Sequence, residues 1–323
     1  IIFFFIWYDE ELILMNSGNT QFQNKGFFLM KVSLASALGT CFGVKDAINL
    51  ALAPEFAGDL TIVGQLVHNP QVNESLKQNG VDLVNGIEEI DKIKTKKVMI
   101  TAHGAAEKTK QKLNEAGFFV YDASCPLVMR VHKAVKDMVA KGYFPIVIGQ
   151  ENHVEVKGIV GDLEGYVVIN SEEDLEKIRE TGKTKFGIVS QTTQQVEKIE
   201  SLTKAIQEMD CVEEVNFVNT ICQPTRDRQI AVRELADRVD LMIVIGGYNS
   251  SNTKKLVQVC EERNVDVYHI ESSSQLQESW FNNRNHVGIT AGTSTPEYLI
   301  NEIHEDILTI AKKMDCLKAE QMA

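Results

Sequence analysis

The sequence predicts an α/β protein built from three units, each with a parallel sheet. Short β-branched and apolar runs recur along the chain, and each ends in a polar or glycine-containing turn that leads into a helical pattern. Several of these runs are apolar throughout, which is typical of parallel strands covered on both faces. The 323 residues, 44% of them hydrophobic, provide for three units of about 90 to 100 residues each.

Ten runs are predicted to be strands: residues 32–36, 60–63, 98–101, 119–122, 145–148, 186–190, 215–218, 241–245, 265–270 and 287–290. Between them lie amphipathic stretches, such as residues 127–140 and 228–239, in which apolar side chains recur at steps of three and four residues. We expect these stretches to form the helices that cover the sheets.

The N-terminal residues do not follow this alternation. Residues 1–8 are apolar, but Asp9, Glu10 and Glu11 follow, so the segment is too short to span a bilayer and lacks the basic start of a signal peptide. We therefore predict no membrane segment. Residues 1–29 are interpreted as an N-terminal extension, or as translated sequence upstream of the true start, because the first predicted strand follows Met30.

The net charge indicates which class of partner the protein binds. Lys and Arg number 33 against 45 Asp and Glu, a net charge of -12, which disfavours a nucleic-acid partner bound through its phosphates and favours a small molecule or a protein. An anionic substrate would need a site that collects histidines, backbone N–H groups and helix N-termini.

The six cysteines lie far apart, unlike those of a disulfide scaffold, so we expect a cytoplasmic protein.

Three cysteines share one setting. Cys41, Cys125 and Cys222 each follow a predicted strand and precede a predicted helix, where the helix N-terminus lowers the pKa of a thiol and soft metals or iron-sulfur clusters find thiolate ligands. A free cysteine is also a common buried residue, but three equivalent placements favour a ligand role. On a 4Fe-4S cluster, three ligands leave one iron without a protein thiolate, open to a substrate. The other cysteines, Cys211, Cys260 and Cys316, lack this setting and are assigned no role.

Three histidines also follow strand ends. His68, His103 and His153 are suited to donate hydrogen bonds to phosphate oxygens. Zinc ligation is the competing functional interpretation, and a core or capping role is the structural one.

Two loops that join strands to helices are predicted to bind an anion. They span residues 246–253, with Ser250, Ser251 and Asn252, and residues 290–296, with Ser294. Glycines let the backbone approach a ligand, while hydroxyls, amides and helix N–H groups meet phosphate oxygens.

A carboxyl and a hydroxyl complete the set of candidate residues. Glu155, two residues after His153, is the best general-acid candidate, because a carboxyl near other negative charges is easier to protonate. Thr192 lies in a further strand-end motif, where its hydroxyl could orient a proton.

Taken in order, these motifs resemble the 4-hydroxy-3-methylbut-2-enyl diphosphate reductase family, also called IspH or LytB, over about residues 30–312. The motifs are TCFGV, LVHNPQV, TAHG, DASCPLV, NHVEVKGIVG, SQTT, ICQPTRDRQ, GGYNSSNTKKL and GITAGTSTPE. The resemblance implies three α/β units in a pseudo-threefold arrangement around a central 4Fe-4S cluster. The expected units are residues 43–125, residues 126–218, and residues 219–323 together with 30–42.

The resemblance also implies a reaction and a role for each residue. The family carries out the last step of the non-mevalonate (MEP) isoprenoid route, the reductive dehydration of an allylic alcohol to isopentenyl and dimethylallyl diphosphate. One cysteine from each unit would bind the cluster, and Glu155 would deliver protons with the help of Thr192 and His153. The substrate-binding residues would be His68, His103, His153, Thr192, Ser250, Ser251, Asn252 and Ser294. A ferredoxin or flavodoxin is the expected electron donor, since a cluster takes electrons singly.

Alternatives remain at this point. The chain departs from common family residues at Thr40, Gln150, Val154 and Lys157, so a divergent paralogue acting on another allylic diphosphate is one. A zinc-dependent phosphate-ester hydrolase that uses the same cysteines and histidines is another. A diphosphate-binding sensor without turnover is the third.

Overall fold

A computed structural model describes residues 3–8, 11–16 and 29–322, with side chains described for residues 29–316. Two strands near the N-terminus, β1 (Phe3–Tyr8) and β2 (Glu11–Asn16), pair antiparallel. Most of the predicted extension, residues 1–29, lies outside the described residues. None of the helices in the described part of the chain combines the length and apolar character that a membrane crossing requires.

Residues 29–322 contain three four-stranded parallel sheets. The first contains β4 (Leu60–Val63), β5 (Val81–Val84), β6 (Lys97–Ile100) and β7 (Phe119–Asp122), and the second contains β8 (Phe144–Ile148), β9 (Val167–Ile169), β10 (Lys185–Ser190) and β11 (Glu214–Phe217). The third contains β12 (Leu241–Ile245), β13 (Asp266–Ile270) and β14 (His286–Ala291), joined by β3 (Lys31–Leu34) from the beginning of the chain.

All three sheets have the same topology. Their strand orders are β5-β4-β6-β7, β9-β8-β10-β11 and β13-β12-β14-β3, so the fourth place of the third sheet is filled by a strand that precedes the first unit. This repetition confirms the predicted fold of three parallel-sheet α/β units.

Among the described residues, ten α-helices connect and cover the sheets. They are α1 (Phe42–Ala51), α2 (Pro70–Gln78), α3 (Glu107–Glu115), α4 (Pro126–Ala140), α5 (Val154–Val160), α6 (Glu176–Glu180), α7 (Val196–Gln207), α8 (Gln223–Ala236), α9 (Ser251–Glu262) and α10 (Glu297–Met322). Helix α8 begins before its predicted start at residue 228, because Cys222 is its N-cap and Pro224 occupies its first turn.

The strand predictions hold for all ten runs, within one or two residues at each end. The sequence analysis missed β5 and β9, which both lie at sheet edges. Asp82 interrupts the apolar run of β5, and the apolar run of β9 is only three residues long, shorter than the runs of four to eight residues that usually identify a buried strand. By contrast, every residue of the central strand β12 is buried, and each such aliphatic side chain stabilises the fold by about 1.5–3 kcal/mol.

A buried arginine joins the start of α8 to the chain segment before Cys41. The guanidinium of Arg228 donates from Nε and Nη2 to the carbonyl oxygen of Gly39, at 3.1 and 2.5 Å, and from Nη1 to that of Pro224, at 2.8 Å. Gly39 has a φ of 74°, a conformation that favours glycine. The arginine therefore fixes the loops of two cysteines, Cys41 and Cys222, relative to each other.

Replacing Arg228 by alanine is expected to lower the free energy of unfolding by about 3 kcal/mol, because hydrogen bonds from a charged donor contribute roughly 1.5–3 kcal/mol and the Gly39 carbonyl loses its partner. Arg263→Ala is the matched control, since its half-exposed pair with Asp237 contributes at most about 1 kcal/mol. Urea denaturation measures both variants. Equal losses of unfolding free energy in the two variants would contradict this role of Arg228.

Candidate active site

One cavity brings together every residue predicted to have a function. It has a volume of about 700 Å³, part of which is open to solvent, and it lies at the ends of the three sheets where the strands terminate, the edge at which α/β proteins bind ligands. The predicted residues that line it are Cys41, Cys125, Cys222, His68, His103, His153, Glu155, Thr192, Ser250, Ser251, Asn252 and Ser294. The cavity therefore receives side chains from all three units.

The three cysteines occupy equivalent positions. Each follows the edge strand of one sheet (β3, β7 or β11) and is the N-cap of a helix (α1, α4 or α8) that leads to the next sheet. The thiols are close to neighbouring backbone: a Cβ atom added at Gly43 would lie 2.4 Å from Sγ of Cys125. Sγ of Cys222 lies 3.1 Å from Oγ1 of Thr225.

Burial makes two of these thiols, those of Cys125 and Cys222, poor thiolates on their own. It raises the pKa of Cys222 to about 11, and nearby Glu155 and Cys41 add to the shift. Burial likewise raises the pKa of Cys125. Three soft donors around one cavity, two of them unfavourable as unpaired anions, suit a cationic group that binds them as thiolates.

Among residues 29–316, no group of three or more His, Cys, Asp or Glu side chains is arranged to hold a single metal ion. An iron-sulfur cluster makes a different demand, because each thiolate binds its own iron atom. The cysteine set fits such a cluster in its donor chemistry and in its origin from three separate units.

Three histidines form a compact group on the cavity wall. The ring centroid of His68 lies 4.4 Å from that of His103 and 5.3 Å from that of His153, and the latter two are 5.7 Å apart. Burial lowers all three pKa values, and His68 lowers those of its two neighbours further, that of His153 to about 4. The group is therefore neutral at pH 7 without a ligand, and an anion would favour its protonation.

Glu155 lies next to this group, on α5, and is 2% exposed. Its Oε1 accepts from the N–H of Thr192 at 2.6 Å, and its Oε2 accepts from Oγ1 of Thr192 at 2.9 Å. Burial raises the pKa of Glu155 to about 7, although both bonds from Thr192 oppose the shift. The charged and neutral forms of the carboxyl are therefore similarly populated at neutral pH.

His153 is oriented by the same helix. Its Nδ1 accepts from the backbone N–H of Glu155 at 3.1 Å, so the neutral ring carries its proton on Nε2. That nitrogen is left to donate to a ligand.

The N-terminus of α9 supplies hydrogen-bond donors. Ser250 caps the helix by accepting from the N–H of Thr253 at 3.2 Å, and Oγ of Ser251 is bonded to Thr193 at 3.0 Å. Neither amide atom of Asn252, which is 2% exposed, has a partner within the described residues. A buried amide without partners on the wall of a cavity suits a polar ligand.

The third unit also approaches the first at His68. A Cβ atom added at Gly247 would lie 2.5 Å from the carbonyl oxygen of His68, so only glycine fits there. Oγ of Ser294 donates to the same oxygen at 3.3 Å. Contacts between units therefore hold side chains of the cavity in place.

The sequence analysis did not single out every polar residue of the cavity. Thr193, Thr225 and Thr293 also line it; they lie within the motifs SQTT, ICQPTRDRQ and GITAGTSTPE, which is the signal that the sequence offers for them. Of the cysteines assigned no role, Cys260 is buried within α9 and Cys316 is exposed on α10.

The fold and this cavity define an α/β enzyme whose site combines thiols, histidines and a buried carboxyl. The chain belongs to the LytB family, whose model, described as LytB protein, matches residues 32–308. It is 40% identical over 280 residues to the 4-hydroxy-3-methylbut-2-enyl diphosphate reductase of Campylobacter curvus, covering 86% of this chain and 99% of the relative. The same enzyme of Aquifex aeolicus is 40% identical over 292 residues, covering 88% and 98%.

Solved structures support the same family assignment. A structure of (E)-4-hydroxy-3-methyl-but-2-enyl diphosphate reductase, the terminal enzyme of the non-mevalonate pathway, is 36% identical with a TM-score of 0.63, covering 87% of this chain and 100% of the other. The corresponding reductase of Plasmodium falciparum is 26% identical with a TM-score of 0.79, covering 87% and 88%. The predicted family is confirmed, and the matches do not favour the divergent paralogue or the zinc hydrolase.

Thr192→Val removes the hydroxyl that donates to Glu155 but keeps the backbone N–H. We expect the pKa of Glu155 to rise by roughly one unit, because a hydrogen bond to a carboxylate stabilises its charged form. Thr192→Ser keeps the hydroxyl and serves as the control. Infrared titration of the protonated carboxyl band, assigned with Glu155→Gln, gives the pKa, and an unchanged value in the valine variant would refute the interaction.

Proposed function

We propose that the chain reduces 4-hydroxy-3-methylbut-2-enyl diphosphate to isopentenyl and dimethylallyl diphosphate, the last step of the MEP route to isoprenoids. Its membership of the LytB family supports this proposal. The observation that carries it is the single cavity in which three cysteines, three histidines and Glu155 meet. Such a site combines a place for a redox cofactor, donors for a diphosphate and a proton source.

The resident cofactor in this proposal is a 4Fe-4S cluster held by Cys41, Cys125 and Cys222. The bound cluster would supply electrons one at a time and leave one iron without a protein thiolate. We further propose that a ferredoxin or flavodoxin provides these electrons. All six cysteines are free, in keeping with a reducing, cytoplasmic location.

The diphosphate would be bound largely by neutral donors. The α9 N-terminus presents Ser250, Ser251 and Asn252 to the cavity, and helix N-termini favour anions through free N–H groups and the helix dipole. The neutral histidines add ring N–H donors, and Ser294 adds a hydroxyl. Such donors allow a strongly charged substrate to bind although the whole chain carries a net charge of -12.

Glu155 would deliver the protons. The reaction consumes two electrons and two protons, replaces the C–O bond of the allylic alcohol by C–H, and releases water. A carboxyl with a pKa of about 7 donates readily and is readily reprotonated at neutral pH. Thr192 orients it with two hydrogen bonds, while His153 meets the substrate from the same helix.

Glu155→Gln is expected to retain the cluster and to lose turnover by at least about 100-fold, the usual contribution of a positioned general acid. In the wild type, kcat should fall as the pH rises above about 7, because the protonated fraction of Glu155 declines; the glutamine variant should lack this decline. Glu151→Gln, at an exposed position nearby, is the control. Wild-type turnover in Glu155→Gln would exclude Glu155 as the acid.

Cys125→Ser is expected to lose the cluster, whereas Cys316→Ser, at an exposed position, should keep it. Anaerobically purified wild-type protein should contain about four iron and four sulfide per chain, measured chemically and by EPR after reduction. Stoichiometric zinc in a colourless wild-type protein would instead support the hydrolase.

A further inference from the structure

A second, solvent-facing depression lies beside the cavity. Its lining includes Leu127, Arg130, Asn219, Cys222, Gln223 and Arg226, of which Leu127 and Cys222 also line the active-site cavity. A single layer of side chains therefore separates this depression from the active site, and one of those side chains is a proposed cluster ligand.

Two arginines give the depression a positive charge. Arg130 is exposed on α4 and Arg226 is half-buried on α8, and within residues 29–316 neither forms a salt bridge. Nε of Arg226 donates only to a backbone carbonyl, that of Ile221, at 3.4 Å. By contrast, four other arginines pair with carboxylates: Arg179, Arg233, Arg263 and Arg284.

Asp227, next to Arg226 in sequence, forms no salt bridge with either arginine, and its Oδ1 accepts from Nε2 of Gln223 at 2.7 Å. On a chain of net charge -12, which repels acidic proteins in general, two guanidiniums without a salt bridge at one place would steer an acidic partner to that place.

We propose that the arginine face, defined as Arg130, Arg226, Gln223 and Leu127, docks a small acidic protein that carries single electrons. This inference rests on the proposed function, since only a redox enzyme needs such a donor. Each docking transfers one electron and leaves the carrier oxidised by one electron. Two dockings supply the two electrons that, with two protons, replace the hydroxyl by hydrogen and release water.

The position suits this role. The carrier would reach the protein at Cys222 from outside, while Glu155 and the histidines contact the substrate within the cavity. Donor and substrate can therefore be bound together. A small, charge-guided contact is also typical of electron-transfer complexes, which form and separate in every cycle.

Charge reversal tests the arginine face in the cluster-loaded enzyme. Arg130→Glu, Arg226→Glu and the double variant are assayed with two donors: a reduced acidic ferredoxin, and dithionite with a viologen dye. Arg263→Glu is the control, because it makes the same change in net charge at the C-terminal end of α9.

We expect each single variant to raise the KM for ferredoxin about five- to tenfold at low salt, with a weaker dependence on salt. With the dye, kcat and the KM for the diphosphate should not change, and Arg263→Glu should match the wild type with both donors. A wild-type KM for ferredoxin in the double variant would overturn the proposal. Equal losses with both donors would also overturn it, since the arginines would then serve the substrate or the cluster.

The assay separates the two hypotheses. Failure of the proposed function would appear as a cluster-loaded wild type that oxidises no dye in the presence of the allylic diphosphate. Failure of the docking proposal would appear while the wild type still turns over with the dye: the double variant would keep a wild-type KM for ferredoxin, or it would lose activity equally with both donors.

Discussion

The active site depends on the parallel direction of the strands within each sheet. Because all strands of a sheet end at the same edge, the loops that follow them collect there. The chain repeats this arrangement three times with one topology and leaves each sheet through an edge strand that is followed by a cysteine. The segments that connect one sheet to the next therefore place three thiols around one cavity. Buried contacts such as that between Arg228 and Gly39 fix the distances between these connecting segments.

Much of this arrangement could be predicted from the sequence, and the remainder has a physical explanation. Central strands such as β12 are continuous apolar runs. The twelve residues that were selected from strand-end motifs all line the cavity. Strand β5 was missed because Asp82 interrupts its apolar run, and β9 was missed because it is only three residues long. Contacts between units, such as that between Ser251 and Thr193, could not be predicted because they depend on how separate sheets pack. The raised pKa of Glu155 likewise depends on burial by side chains distant in sequence.

Burial favours the neutral forms of six titratable groups that line the cavity. It lowers the pKa values of the three histidines and raises those of Glu155, Cys125 and Cys222. A folded chain without its ligands thus avoids the large free-energy cost of unpaired buried charges. The ligands would provide opposite charges of their own, so that the ionised forms of these side chains become favourable only in the loaded enzyme.

The strand β3 has a consequence for the order in which the protein can assemble. Ser33 on this strand and His286 on β14 are joined by a side-chain hydrogen bond of 2.9 Å across 253 positions of sequence. During synthesis, β3 emerges early, but its neighbour in the sheet emerges only when the chain is almost finished. The first two units are able to fold as they leave the ribosome, whereas Cys41 reaches its final position last. A ligand that needs all three thiols together could therefore bind only after β14 has been synthesised.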